Sequence, residues 1–111
     1  MVVLQDVMYD GGTITIMCDD DIFIFEVIKE IVHNEDWSFV VVKIKCDSHD
    51  FERVIKKILT QCVSSKKHEN GELVYYARCD NFEALLYFNP ESMKLQRLLL
   101  YYQRKMYVVE C

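Results

Sequence analysis

The sequence is poor in the residues that break regular structure: three glycines and one proline in 111. It also lacks any apolar run near the ~20 residues that a bilayer-spanning helix needs. The first shortage excludes a low-complexity or collagen-like chain. The length leaves room for one hydrophobic core, so residues 1–111 are expected to form a single domain. Nothing after Met1 resembles a basic leader, an apolar segment and a small-residue cleavage site, so neither export nor membrane insertion is expected. The five cysteines, Cys18, Cys46, Cys62, Cys79 and Cys111, are odd in number and lie far apart. Their spacing supplies neither the framework of a small secreted domain nor the close ligand pairs of structural zinc. Reduced thiols in a cytoplasmic protein are therefore expected.

Catalytic signatures are missing as well. There is no Gly-x-Gly-x-x-Gly, no phosphate-binding P-loop, no His-Glu-x-x-His and no ordered Ca²⁺ loop. Cys46 or Cys62 with a nearby histidine makes a poor nucleophile pair, because both thiols fall in apolar stripes where nothing activates them. No enzyme activity and no cofactor is expected.

Positive charge is scarce in the first third. Residues 1–36 hold nine carboxylates against Lys29 alone, a net of −8, whereas residues 37–111 hold twelve bases against nine acids, a net of +3. The overall charge of −5 thus hides an acidic first part joined to a mildly basic remainder.

Val2–Met8 and Thr13–Cys18 alternate as two strands around Asp10-Gly11-Gly12, a hairpin signal. Asp19-Asp20-Asp21 precedes Ile22–His33, where Ile24, Val27, Ile28 and Ile31 follow a helical period, and carboxylates suit the start of a helix. The alternation in Ile22-Phe23-Ile24-Phe25 is the weak point, since it also suits a strand. Trp37–Cys46 reads as a central strand. His49–Val63 reads as an amphipathic helix with Phe51, Val54, Ile55, Ile58 and Cys62 inward, capped by Asp47 or Ser48. Ser64–Gly71 reads as a polar loop. Glu72–Cys79 and Phe82–Phe88 form an antiparallel pair. Asn89-Pro90-Glu91-Ser92 has the residues of a helix start, and Leu95, Leu98, Leu99, Tyr102 and Met106 continue as a helical stripe before a short closing strand at Tyr107–Glu110. The order ββαβαββα(β) predicts an α/β fold on the border of α+β, a mixed sheet with two to three packed helices.

Three predicted strands end in Cys-Asp: Cys18-Asp19, Cys46-Asp47 and Cys79-Asp80. A small buried thiol followed by a capping carboxylate explains this architecturally. A divalent cation held by the strand-end aspartates of a small metal-dependent enzyme is the sharper alternative. For nucleic acid, the one candidate is the last helix, with Lys94, Arg97, Arg104 and Lys105 beside Tyr101 and Tyr102. The acidic first third opposes that reading. Self-assembly is a further alternative, through Leu100 and Tyr101 or through strand pairing of Tyr107–Glu110.

The charge asymmetry favours a non-enzymatic protein-binding module that presents an acidic surface to a basic partner, for instance a toxin or nuclease. Small immunity and antitoxin-type inhibitors share this size and charge, although no motif carries the comparison. A viral or cellular adaptor or self-assembling accessory protein, including a homodimer, is the second class. The candidate contacts are Asp19, Asp20, Asp21, Glu26, Glu30, Glu35 and Asp36, with Phe23 or Trp37 as an exposed aromatic anchor.

Overall fold

Alternation of inward and outward side chains, rather than a helical stripe, governs most of the chain. The computed structural model describes residues 2–111. In chain order the elements are β1 (Leu4–Tyr9), β2 (Thr13–Cys18), β3 (Asp21–His33), β4 (Phe39–Ile44), α1 (His49–Gln61), β5 (Val63–Glu69), β6 (Glu72–Arg78), β7 (Glu83–Phe88), β8 (Leu95–Tyr102) and β9 (Lys105–Glu110). Among the described residues the strands form one nine-stranded sheet in the order β1-β2-β3-β4-β9-β8-β7-β6-β5. Two antiparallel meanders, β1–β4 and β5–β9, meet at the parallel pairing of β4 with β9, and α1 is the crossover between them. The expected α/β fold with two to three helices is therefore corrected: the protein is mostly β, with one helix and a curled sheet.

Two segments expected as helices are strands, for reasons visible in their turns. Asp19 and Asp20 do not start a helix. They take φ of 51° and 67° between the paired Cys18 and Asp21, which makes a two-residue hairpin of the kind that needs left-handed conformations at both central positions. Aspartate tolerates that region better than most residues. The alternation in Ile22–Phe25 then holds, with Phe23 and Phe25 inward.

At residues 89–92 the capping chemistry does form, since Asn89 Oδ1 accepts from the backbone N–H of Glu91 (2.9 Å) and of Ser92 (3.1 Å). The turn closes at once, because Met93 takes φ 57° and the Asn89 N–H donates to the carbonyl of Lys94 (2.9 Å). Leu98, Leu100 and Tyr102 then point inward while Arg97, Leu99 and Tyr101 point outward. A run apolar on both faces fits helical and strand periods alike. Gln103 and Arg104, at φ 49° and 63°, make a second tight hairpin that no turn residue announces. The expected loop at Ser64–Gly71 is β5 with its Asn70-Gly71 turn.

The inward side chains of the strands and Phe51, Val54, Ile55 and Ile58 of α1 make one core, with Phe25 and Phe51 edge to face at 5.5 Å. Ser48, not Asp47, caps α1, its hydroxyl accepting from Phe51 N–H. The sheet curls until β1 faces β8 and β9, so that Tyr102 Oη donates to the carbonyl of Gln5 (2.8 Å) and Tyr107 Oη to that of Val7 (3.4 Å). Asn81, in the β6–β7 turn, completes the curl. Its amide accepts from Leu4 N–H (2.9 Å) and donates to Leu4 C=O (2.7 Å), taking the place of a neighbouring strand.

Disulfides join Cys46 to Cys111 and Cys62 to Cys79, which corrects the expectation of reduced thiols for four of the five cysteines. The parallel pairing of β4 and β9 explains the first. It brings residues 65 positions apart in sequence to a Cα separation of 5.3 Å, within disulfide range. Cys18 keeps its thiol, and burial pushes its pKa up to about 11. No helix among the described residues is long and apolar enough to cross a membrane.

Candidate interaction face

Phe23 and Phe25 face the core, so their neighbours in β3 face the other way. Ile22, Ile24 and Ile28 are 58%, 62% and 57% exposed, on the outer surface of the β1–β3 ribbon. The register places Met17 opposite Ile22, Thr15 opposite Ile24 and Thr13 opposite Glu26. Met8 of β1 lies beyond Thr15 and is also exposed. Only Ile24 has a threonine opposite it; Ile22 faces Met17, and Ile28 lies past the end of the β2 pairing, at a register shift where β3 pairs with β4.

The carboxylates expected to form one acidic surface divide between the two ends of β3. At the β2–β3 turn, Asp21 Oδ2 accepts from Lys57 Nζ (2.8 Å) and Arg53 Nη2 (3.3 Å), both on α1. The hydrogen bond from Lys57 holds the Asp21 carboxyl below its usual range and raises the pKa of Lys57 in return. Asp19 lies 4.0 Å from the same ammonium, and its Oδ1 accepts from Val3 N–H (2.8 Å). Asp20 has no cationic partner among the described residues and projects from the turn. An ammonium group thus already occupies the space between Asp19 and Asp21. Among the described residues no three His, Cys, Asp or Glu side chains gather as a metal site.

At the other end, Glu30 accepts from Tyr9 Oη (2.6 Å) and contacts His33 Nδ1 (3.0 Å). Partial burial and the Glu30 carboxylate push the Tyr9 hydroxyl up to about 12. The His33 ring stacks on Trp37 at 3.8 Å, and Trp37 sits 6.2 Å from Tyr9. Asp36 is held below its usual pKa by the hydroxyl and backbone N–H of Ser38. Glu35 is exposed in the same turn. Of these, Tyr9 and Trp37 line a groove of about 550 Å³ together with Asp6, Asp10, Lys105 and Tyr107. Only Glu26 of the expected set lies between the ends, exposed among the outward isoleucines.

Of the two expected anchors, Trp37 is half-exposed, whereas Phe23 is buried at 1% and is removed from the surface set. Alternation from the Asp19-Asp20 turn fixes this inward direction. The isoleucines, Arg53 and Lys57 were not expected at the site. Strict apolar alternation was the signal for the first, while nothing local tells that α1 packs beside the β2–β3 turn.

Other expected surfaces dissolve. The basic, aromatic helix does not exist: Tyr102 is buried, and Arg97 pairs with Glu72 (2.9 Å) and stacks on Tyr87 (4.0 Å). Leu100 is in the core, and β9 lies between β4 and β8, so it offers no free edge to a second copy. A second groove of about 580 Å³ runs between α1 and the β7–β8 turn, with Phe51, Ile55, Phe88, Leu95 and the Cys46–Cys111 disulfide along it. No protein-family model matches the chain, and comparison with curated proteins and with solved structures finds no significant match.

Proposed function

We propose that this protein is a non-enzymatic binding module whose β1–β3 ribbon presents an apolar, carboxylate-flanked face to a basic protein. The observation that carries the reading is the exposure of Ile22, Ile24 and Ile28 on a strand whose alternate residues are core phenylalanines. Glu26 stands within that stripe and Asp20 at its end, so the face suits a partner surface that pairs apolar side chains with lysine or arginine. Burying a whole isoleucine side chain contributes about 1.5–3 kcal/mol, so covering the stripe supplies a favourable term that works against the cost of association. The carboxylates add steering and selection of partners. The cytoplasmic location expected from composition is the part of the reading that the two disulfides oppose, because such bonds persist mainly in oxidising compartments.

The test is affinity capture from the source cell with the unaltered chain, Ile24→Lys and Asp20→Asn, which keeps a residue that tolerates the turn, followed by quantitative mass spectrometry. A basic protein is expected to be enriched by the unaltered chain and depleted by both variants, while their melting temperatures stay close to the original. Equal recovery by all three removes the proposal.

A further inference from the structure

The two disulfides bracket the helix. Cys46 lies two residues ahead of Ser48, the N-cap of α1, and Cys62 is its C-cap. Each ties one end of α1 to the sheet, the first to Cys111 just past β9 and the second to Cys79 just past β6. Their surroundings differ. Cys62 is buried in the core, and strand pairing backs its disulfide: Val63 lies opposite Ala77, and Arg78 N–H donates to the Cys62 carbonyl (3.0 Å). Cys111 is exposed and Cys46 half-buried, and both line the groove of about 580 Å³ beside α1. Residues 45–47 belong to no strand or helix, so the Cys46–Cys111 bond fastens a stretch that no strand pairing holds.

We propose that the Cys46–Cys111 disulfide is a redox latch: a dithiol reductant opens it before Cys62–Cys79, frees the N-terminal end of α1 and widens the groove beside it. Access is the first argument. Exchange requires a thiolate to reach one of the sulfurs, which makes exposed disulfides the labile ones. The groove offers that approach, and its lining sets Lys56 and Lys94 against Asp47 and Glu52, so no net charge there repels an incoming thiolate. One thiolate of the reductant attacks Sγ of Cys111, the more exposed residue, forming a mixed disulfide and expelling Cys46 Sγ, which takes a proton. The reductant's second thiolate then attacks its own sulfur in the mixed disulfide and expels Cys111 Sγ, which is protonated in turn. Two thiols remain on the protein, and the reductant leaves as a disulfide. Local opening is the second argument. With its far end still held by Cys62–Cys79, α1 can part from the sheet at its first turns without unfolding the body. Phe51 and Ile55, now buried, then line a wider groove opposite Phe88 and Leu95.

Graded reduction of the unaltered protein with dithiothreitol under native conditions tests this. Thiols are alkylated at intervals and located by mass spectrometry, and backbone hydrogen exchange is measured alongside. Cys46 and Cys111 should be alkylated about tenfold faster than Cys62 and Cys79. Cys18, buried at 1%, reports global unfolding and should stay unlabelled over that interval. Exchange should rise at residues 49–56 and stay low in β6 and β7, and Cys46→Ser/Cys111→Ser should show the same pattern without reductant. The reduction series on the unaltered chain decides even where that variant does not fold. Equal rates for the two disulfides, the reverse order, labelling of Cys18 in step with Cys111, or unchanged exchange at residues 49–56 overturns the proposal.

Discussion

The β1–β3 ribbon and the rest of the sheet hold their places by different means. The later part, β4–β9 with α1, is cross-linked twice, by Cys46–Cys111 and Cys62–Cys79. The ribbon carries no cross-link among the described residues. It is held by Phe23 and Phe25 in the core, by the tyrosine hydroxyls on Gln5 and Val7, by Asn81 on Leu4, and by Lys57 and Arg53 on Asp21. Outer faces differ in the same sense. Across the broad sheet from β4 to β9, Val41 and Val108 are only 8% exposed, because wide rows of side chains shield one another, whereas the ribbon's isoleucines stand open. A covalently tied body thus displays a non-covalently docked acidic ribbon. The ribbon is where local opening should come most easily.

The sharpest way to break this contrast is to remove the cross-links. Chain-entropy arithmetic gives about 4 kcal/mol for a loop of 65 residues and about 3 kcal/mol for one of 17. The Cys46→Ser/Cys111→Ser protein should therefore lose more stability in urea than Cys62→Ser/Cys79→Ser. The reverse order, or no loss under reductant, would mean that the body does not depend on its cross-links.

Next in size is the inward–outward contrast within β3. Phe23→Ala leaves a cavity against α1 and should cost about 3–4 kcal/mol. Ile24→Ala, one residue on and facing solvent, should change stability by no more than about 0.5 kcal/mol. Equal urea midpoints for the two would refute the assignment of the faces.

That pair of residues also shows how far the sequence could be read. Helix α1 was legible because its apolar period, its cap and its polar face agree. So was the β1–β2 hairpin, where Asp10 Oδ1 accepts from the N–H of Gly12 and of Thr13 in a turn that glycine makes easy. Turns formed by Asp19-Asp20 and Gln103-Arg104 were not legible, because left-handed backbone at such residues is imposed by the register of the strands around them. The Asn70-Gly71 signal was present, but the strand before it is too polar to announce itself. Of the candidate site, acidity was legible and its geometry was not. Which carboxylates lie free and which meet Lys57 depends on α1 packing beside a turn about 36 residues away in sequence.

The smallest expected effect concerns that tie between ribbon and helix. Lys57 depresses the pKa of Asp21 in the folded protein below its ordinary value of 3.8. The unfolded chain therefore takes up the proton first as the pH falls. The ion pair's contribution is full at pH values above about 3.8 and disappears as the pH drops through the lower, folded value. Both side chains are partly exposed, so the contribution is small and screened by salt. In melting curves at low ionic strength, Asp21→Asn should lie slightly below the unaltered protein by a constant gap from pH 8 to pH 5. That gap should close as the pH falls through the lower, folded value, and it should be absent when the comparison is repeated in an Arg53→Met/Lys57→Met background, because Arg53 also donates to Asp21. A gap that survives in that background would show that the effect of the substitution does not come from the ion pairs between Asp21 and α1.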